Sequence, residues 1–121
     1  MTTLTETTHD GEFIVSEASG TRSREVATLI TGQDLAAGAV LGMITASSKY
    51  TVLAPAAGDG SEAAAGILFA ATDATSADEE CVLILRDAEV NGGEIGWPAG
   101  ISAGEKTTAI AELAALGIIV R

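Results

Sequence analysis

Aromatic side chains are scarce in this chain of 121 residues: Phe13, Phe69, Tyr50 and Trp97 are the full set. Aliphatic residues and alanine therefore carry nearly all of its 47% hydrophobic content, and the core they can build is thin. A chain of this length has room for one such core. Mean hydropathy is nonetheless positive. Soluble monomers rarely leave large apolar patches exposed, so part of that surface is expected to be covered by further copies of the chain. Basic residues are as rare, with six Lys and Arg against 17 Asp and Glu, a formal charge of −11. Binding a nucleic-acid backbone requires clustered cations that displace counterions, and these six are scattered, which excludes nucleic acid as a partner.

Cys81 is the lone cysteine and His9 the lone histidine. One cysteine allows no intramolecular disulfide, and its setting in Cys-Val-Leu-Ile-Leu reads as a buried strand position made in a reducing cytoplasm. A nucleophile activated by His9 would have to be built on a polar tail without a scaffold, so no catalytic site is expected. One Cys and one His cannot supply the ligands of a transition-metal site, and neither a metal nor a cofactor is expected. The longest apolar run, residues 63–71, falls far short of the ~20 residues that span a bilayer. The first residues lack the basic and apolar segments of a secretory leader, so a soluble protein is expected, without a membrane partner.

What is present begins with a polar, threonine-rich stretch, residues 1–11, whose composition cannot repay the entropy of ordering by itself; it reads as a disordered tail. Glu12, Phe13, Ile14, Val15, Ser16 and Glu17 then form a short β-prone cluster. Residues 18–22, Ala-Ser-Gly-Thr-Arg, have linker character and set it apart. The chain thus divides into an arm, residues 1–23, and a body, residues 24–121. The body reads as short strands punctuated by glycine, at residues 25–30, 39–44, 50–54, 65–70 and 81–85, which suits a small barrel or sandwich and not alternating βα units. Turns are expected around Gly32 and Gly38 and over Gly58-Asp-Gly-Ser61, and an acidic loop at residues 78–80. One helix is expected over about 102–116: Ser102 and Glu105 have capping-box spacing, Ile110, Leu113 and Ala114 share a face, and Gly117 suits its end before a last strand at 118–120.

Asp73, Asp78, Glu79 and Glu80 lack the alternating spacing around a central glycine that wraps a chain around calcium, so a solvated acidic loop is the plainer reading. Gly92, Gly93, Gly96, Gly100 and Gly104 have neither the order nor the lysine of a phosphate cradle, and read as turns. Trp97 and Pro98 place a bulky anchor beside a fixed backbone. Either a packed corner or a contact between subunits would use such a pair.

Taken in order, AGAVLG (37–42), SKYTVLAP (48–55), GDGSEAAAGIL (58–68), WPAG (97–100) and AELAALGIIVR (111–121) form a series that resembles the head decoration proteins of tailed bacteriophages, the lambda protein D type. The resemblance extends over about residues 21–121 and rests on the order and spacing of the segments. It implies a mainly β, β-clip-like fold with one short C-terminal helix. It also implies a homotrimer on the outer surface of the expanded virion head, which cements the major capsid protein against internal DNA pressure. An N-terminal arm that orders on the shell belongs to the same picture, and residues 12–17 match it by position and character. Two rivals remain on the residues alone. A trimeric β-fold nucleotide hydrolase would need a catalytic Asp in a glycine- and arginine-rich strand end, which is missing. A small carrier or binding module, suggested by Asp34-Leu-x-x-Gly38-x-Val-Leu-Gly42, would need its modified lysine at a hairpin tip, and neither Lys49 nor Lys106 sits in such a motif.

Overall fold

The computed structural model describes residues 9–121; the expectation of a disordered tail falls largely on residues 1–8, outside them. The fold is mainly β with one helix. It comprises β1 (Ile14–Glu17), β2 (Arg24–Leu29), β3 (Gln33–Leu35), β4 (Val40–Ile44), β5 (Lys49–Val52), β6 (Ala64–Leu68), β7 (Thr72–Ala74), β8 (Glu79–Ile84), β9 (Ala88–Val90), α1 (Ala103–Ala115) and β10 (Ile118–Val120). Five strands close into a barrel in the order β2-β5-β4-β6-β8. Its ladders are antiparallel except where Leu29 of β2 meets Tyr50 of β5 in a parallel pair that completes the ring. A three-stranded sheet, β1-β9-β10, lies outside the barrel, and β3 pairs with β7 as a separate ribbon.

The barrel strands β4, β6 and β8 are short apolar runs because each feeds two clusters. Side chains alternate across a strand, so Val40, Ile67 and Ile84 enter one cluster while their neighbours Leu41, Leu68 and Leu83 enter the other. The second cluster also takes Leu29, Ala74 and Cys81. The first takes Phe13, Ala88, Val90, Ala109, Leu113 and Ile118, and so joins the barrel to the outer sheet and the helix. Strands buried on both faces lose the apolar-polar alternation of a one-sided sheet. Small residues let the layers approach: a Cβ on Gly42 would lie 2.3 Å from the Ser61 carbonyl oxygen.

Helix α1 starts on a capping box. Ser102 Oγ accepts from the Glu105 N–H at 3.1 Å, and the Glu105 carboxylate accepts from the Ser102 N–H at 2.9 Å. Gly117, at φ +91°, takes the left-handed conformation that ends it, and its N–H donates to the Ala114 carbonyl. The buried face differs from the expected one. Ala109 and Leu113, four apart, face the core, while Ile110 and Ala114 are exposed. A helix resting on a curved barrel surface buries a narrow stripe, and the small Ala109 permits the close approach.

One further expectation is revised, and three strands were not expected. Glu79 and Glu80 are not in a loop but open β8, where they pair with Leu29 and Thr28. The strands β3, β7 and β9, three residues each, lie in stretches that contain no apolar run.

Candidate functional site

The segment expected to stand apart from the body, residues 12–17, is folded onto it. Phe13 is fully buried in the first cluster, and its carbonyl accepts from the Asn91 N–H at 2.8 Å. On either side, Gly11 donates to the Phe69 carbonyl and Ala18 to the Asp87 carbonyl, both at 3.0 Å. Between them β1 runs antiparallel to β9, with Ile14 opposite Val90, Ser16 opposite Glu89 and Glu17 opposite Ala88, and a bulge after Ile14. β1 is the last strand of its sheet, so its other edge is open. Glu12, Val15 and Ser16 are exposed, Val15 at 57%.

Residues 18–22, expected as a loose linker, are tied down at both ends, Ala18 to the Asp87 carbonyl and Arg22 to Arg86 and Asp87. Glu17 receives Arg24 through two guanidinium nitrogens, Nε at 3.2 Å and the second closer, and also receives the Ser23 hydroxyl. Ser23 is fully buried, and its carbonyl accepts from the Leu85 N–H at 2.9 Å. Arg24 lies 4.1 Å above the centre of the Phe69 ring, a cation–π contact that fixes the guanidinium in place. The Arg24 hydrogen bond holds the Glu17 carboxyl below the usual glutamate range, against the opposing effect of burial, and the Ser23 hydroxyl adds to it. The same pairing raises the Arg24 guanidinium. On the outer face of the sheet, the Glu89 carboxylate accepts from Arg121 Nε at 2.6 Å and from Ser16 Oγ at 2.9 Å, and these two bonds lower its pKa. A fully buried Phe13 and a bonded Glu17 thus pack residues 13–17 against the body.

Trp97 and Pro98 are half-buried where the chain leaves β9 for the helix. The indole packs on the first cluster, and Lys106 Nζ sits 6.0 Å from its centre. Gly96 bonds back to the barrel on both sides, its N–H to Gly38 and its carbonyl from Val40.

Other titratable groups are engaged in ways that serve structure. Burial pushes the Cys81 thiol up, with the nearby Glu80 adding to it, which disfavours a thiolate nucleophile. Asp78 accepts from Lys49 and from the Thr31 N–H, both of which lower its pKa. His9 is exposed, and its backbone N–H donates to Glu12. Among the described residues no group of three or more His, Cys, Asp or Glu is placed to hold a metal, and no helix is long and apolar enough to cross a membrane. The arrangement holds the N-terminal segment to the body through backbone and side-chain hydrogen bonds.

Comparison with protein families gives a match over nearly the whole chain. The family model described as "Bacteriophage lambda head decoration protein D" matches residues 3–118. No curated protein matches the chain.

Proposed function

Because the chain belongs to the bacteriophage lambda head decoration protein D family, we propose that it binds the outer surface of the expanded phage head as a homotrimer and cements neighbouring major capsid subunits against internal DNA pressure. The family match over residues 3–118 is the observation that carries this reading. A thin, alanine-rich core with positive mean hydropathy supports the oligomer, and an acidic surface suits a protein that meets a shell and not the DNA inside it. The product is assembled in the host cytoplasm and ends in the virion.

The capsid contact falls on the N-terminal segment, residues 1–23, with its parts in different roles. Phe13, Ile14 and Glu17 anchor the segment to the body. Glu12, Val15 and Ser16 face outward, and the residues ahead of Gly11 reach the shell. A short backbone pairing of about five hydrogen bonds yields only a few kcal/mol, and ordering the chain offsets much of it. Three such segments on one rigid trimer act at an effective concentration of about millimolar, which multiplies affinity by ~10² to 10⁴ for each further arm that reaches its site. Trp97 and Pro98 serve as the packed corner that positions α1, with a contact between subunits as their second role.

Co-sedimentation with expanded capsids tests the reading. A truncation through Gly20 would remove Phe13 from the core, so residues 1–9 alone should be deleted. The expected result is a folded protein with at least tenfold weaker capsid binding, on the scale of one lost arm contact. Undiminished binding would remove the arm from the mechanism, and no binding by the full chain would overturn decoration itself.

A further inference from the structure

The outer wall of the barrel carries a trough that the capsid-binding reading leaves unused. Val26 on β2 and Leu116, just past α1, are among the most exposed large apolar side chains, at 61% and 41%. Between them lie Met43, Tyr50, Leu85 and Arg86, which line two adjoining depressions of about 540 and 520 Å³. The two depressions share these four residues, so together they reach from β2 to the end of the helix, with a lining more apolar than polar.

Its charges are already matched. Arg86 bonds Glu25 at 3.0 Å and Lys49 bonds Asp78 at 2.6 Å, so the rim is close to neutral on a chain of formal charge −11. The depression at the start of α1 is the contrast: Glu62, Glu105 and Glu112 line it, with no base among the residues around it. A cationic partner would be drawn to acidic surface of that kind. A second copy of this chain, itself strongly acidic, is repelled there and can approach closely only where both surfaces are neutral and apolar.

We propose that the trough between Val26 and Leu116 is the face on which a second copy of the chain seats. This rests on the homotrimeric reading above and names the surface that reading requires. The outward β2 residue and the helix end lie on opposite rims of the trough, so one copy can offer one rim while its neighbour offers the other, the head-to-tail contact that closes a threefold ring.

Sedimentation equilibrium of the full chain and of three variants tests it. Val26→Asp and Leu116→Asp place a charge on the trough, and Ile119→Asp places one on the outer sheet, at a residue about as exposed as Leu116. The full chain and Ile119→Asp are expected to be trimers, and each trough variant to associate about a hundredfold more weakly, the effect of a charged group in an interface core. Circular dichroism establishes that each variant keeps the fold. Where one does not, Val26→Cys replaces it, and protection of that thiol from a bulky maleimide at trimer-forming concentration counts for the proposal. Trimers unaffected by both trough variants, or a freely labelled Cys at 26, would overturn this face while leaving the homotrimer intact. A full chain that stays monomeric at tens of micromolar, a range set by ordinary association constants, would overturn the homotrimer itself.

Discussion

The five-stranded barrel and the three-stranded sheet treat their edges in opposite ways. The barrel closes through the Leu29–Tyr50 pair and leaves no strand edge open. The sheet is assembled from the N-terminal strand, the C-terminal strand and the short β9 between them, and both of its outer strands have a free side. The barrel is held by backbone ladders and a shared core. The sheet adds side-chain bonds, Glu17 to Arg24 across a turn and Glu89 to the distant Ser16 and Arg121. A closed scaffold paired with an open, side-chain-fastened sheet is what a protein needs if one region must stay rigid while another meets a partner.

The sharpest way to break this comparison is at Phe13. If β1 were a separable arm, Phe13→Ala would leave stability unchanged. Since the ring is fully buried in the cluster that joins barrel, sheet and helix, the expected loss is about 3–5 kcal/mol. Urea unfolding measures it, and a loss below about 1 kcal/mol, a typical value for surface changes, would return β1 to the status of an arm. Gly42→Ala attacks the other region. The added methyl would meet the Ser61 backbone oxygen at 2.3 Å, so the strands of the barrel must part, at a cost of about 1–3 kcal/mol in the same assay. An unchanged unfolding midpoint would mean that the barrel wall yields locally.

The barrel strands and the two outer strands of the sheet were legible in the sequence; β9 and the pairing that builds the sheet were not. β2, β4, β5, β6 and β8 are compact apolar or β-branched runs bounded by turn residues, and each falls within two residues of its expected place. The capping box at Ser102 and Glu105 and the stop at Gly117 are local chemistry, so they too can be seen without tertiary contacts. β9, Ala-Glu-Val, has no pattern of its own and exists because β1 and β10 flank it. The β-prone character of residues 12–17 was visible, but the partner strand lies more than 70 residues away, and the linker composition of residues 18–22 suggested freedom. The clue that could have been weighed is Phe13 itself: in a chain with four aromatics, a phenylalanine is costly to leave in water. Nothing in the spacing of Glu17 and Arg24 announced their bond, which depends on the turn between them.

That bond supplies a smaller test, confined to the junction of the two regions. Glu17→Gln keeps the shape of the side chain and removes its charge, and the expected loss near neutral pH is about 1 kcal/mol for a partly exposed charged hydrogen bond. Its pH dependence has a definite sign. The carboxyl of Glu17 is lowered in the folded protein, chiefly by Arg24. Its contribution is therefore complete above the ordinary glutamate value and disappears as pH falls through the lowered one. The stability difference between the parent and Glu17→Gln should shrink on acidification, and a difference that stays constant into acid would separate the effect from the ionised pair.

The smallest expected effect asks whether the sheet can loosen while the barrel holds. Ser16→Ala removes one of the two donors to Glu89, leaving Arg121 in place, and at this exposed site it should cost only a few tenths of a kcal/mol. The global unfolding midpoint would barely move. Hydrogen exchange resolves the change, because amides open in local units whose free energies lie below the global value. Exchange at the β1–β9 ladder should quicken while the amides joining β2 to β8 and β4 to β6 keep their rates. If both sets quicken together, the sheet and the barrel open as one unit, and the outer sheet then has no independent freedom with which to engage a shell.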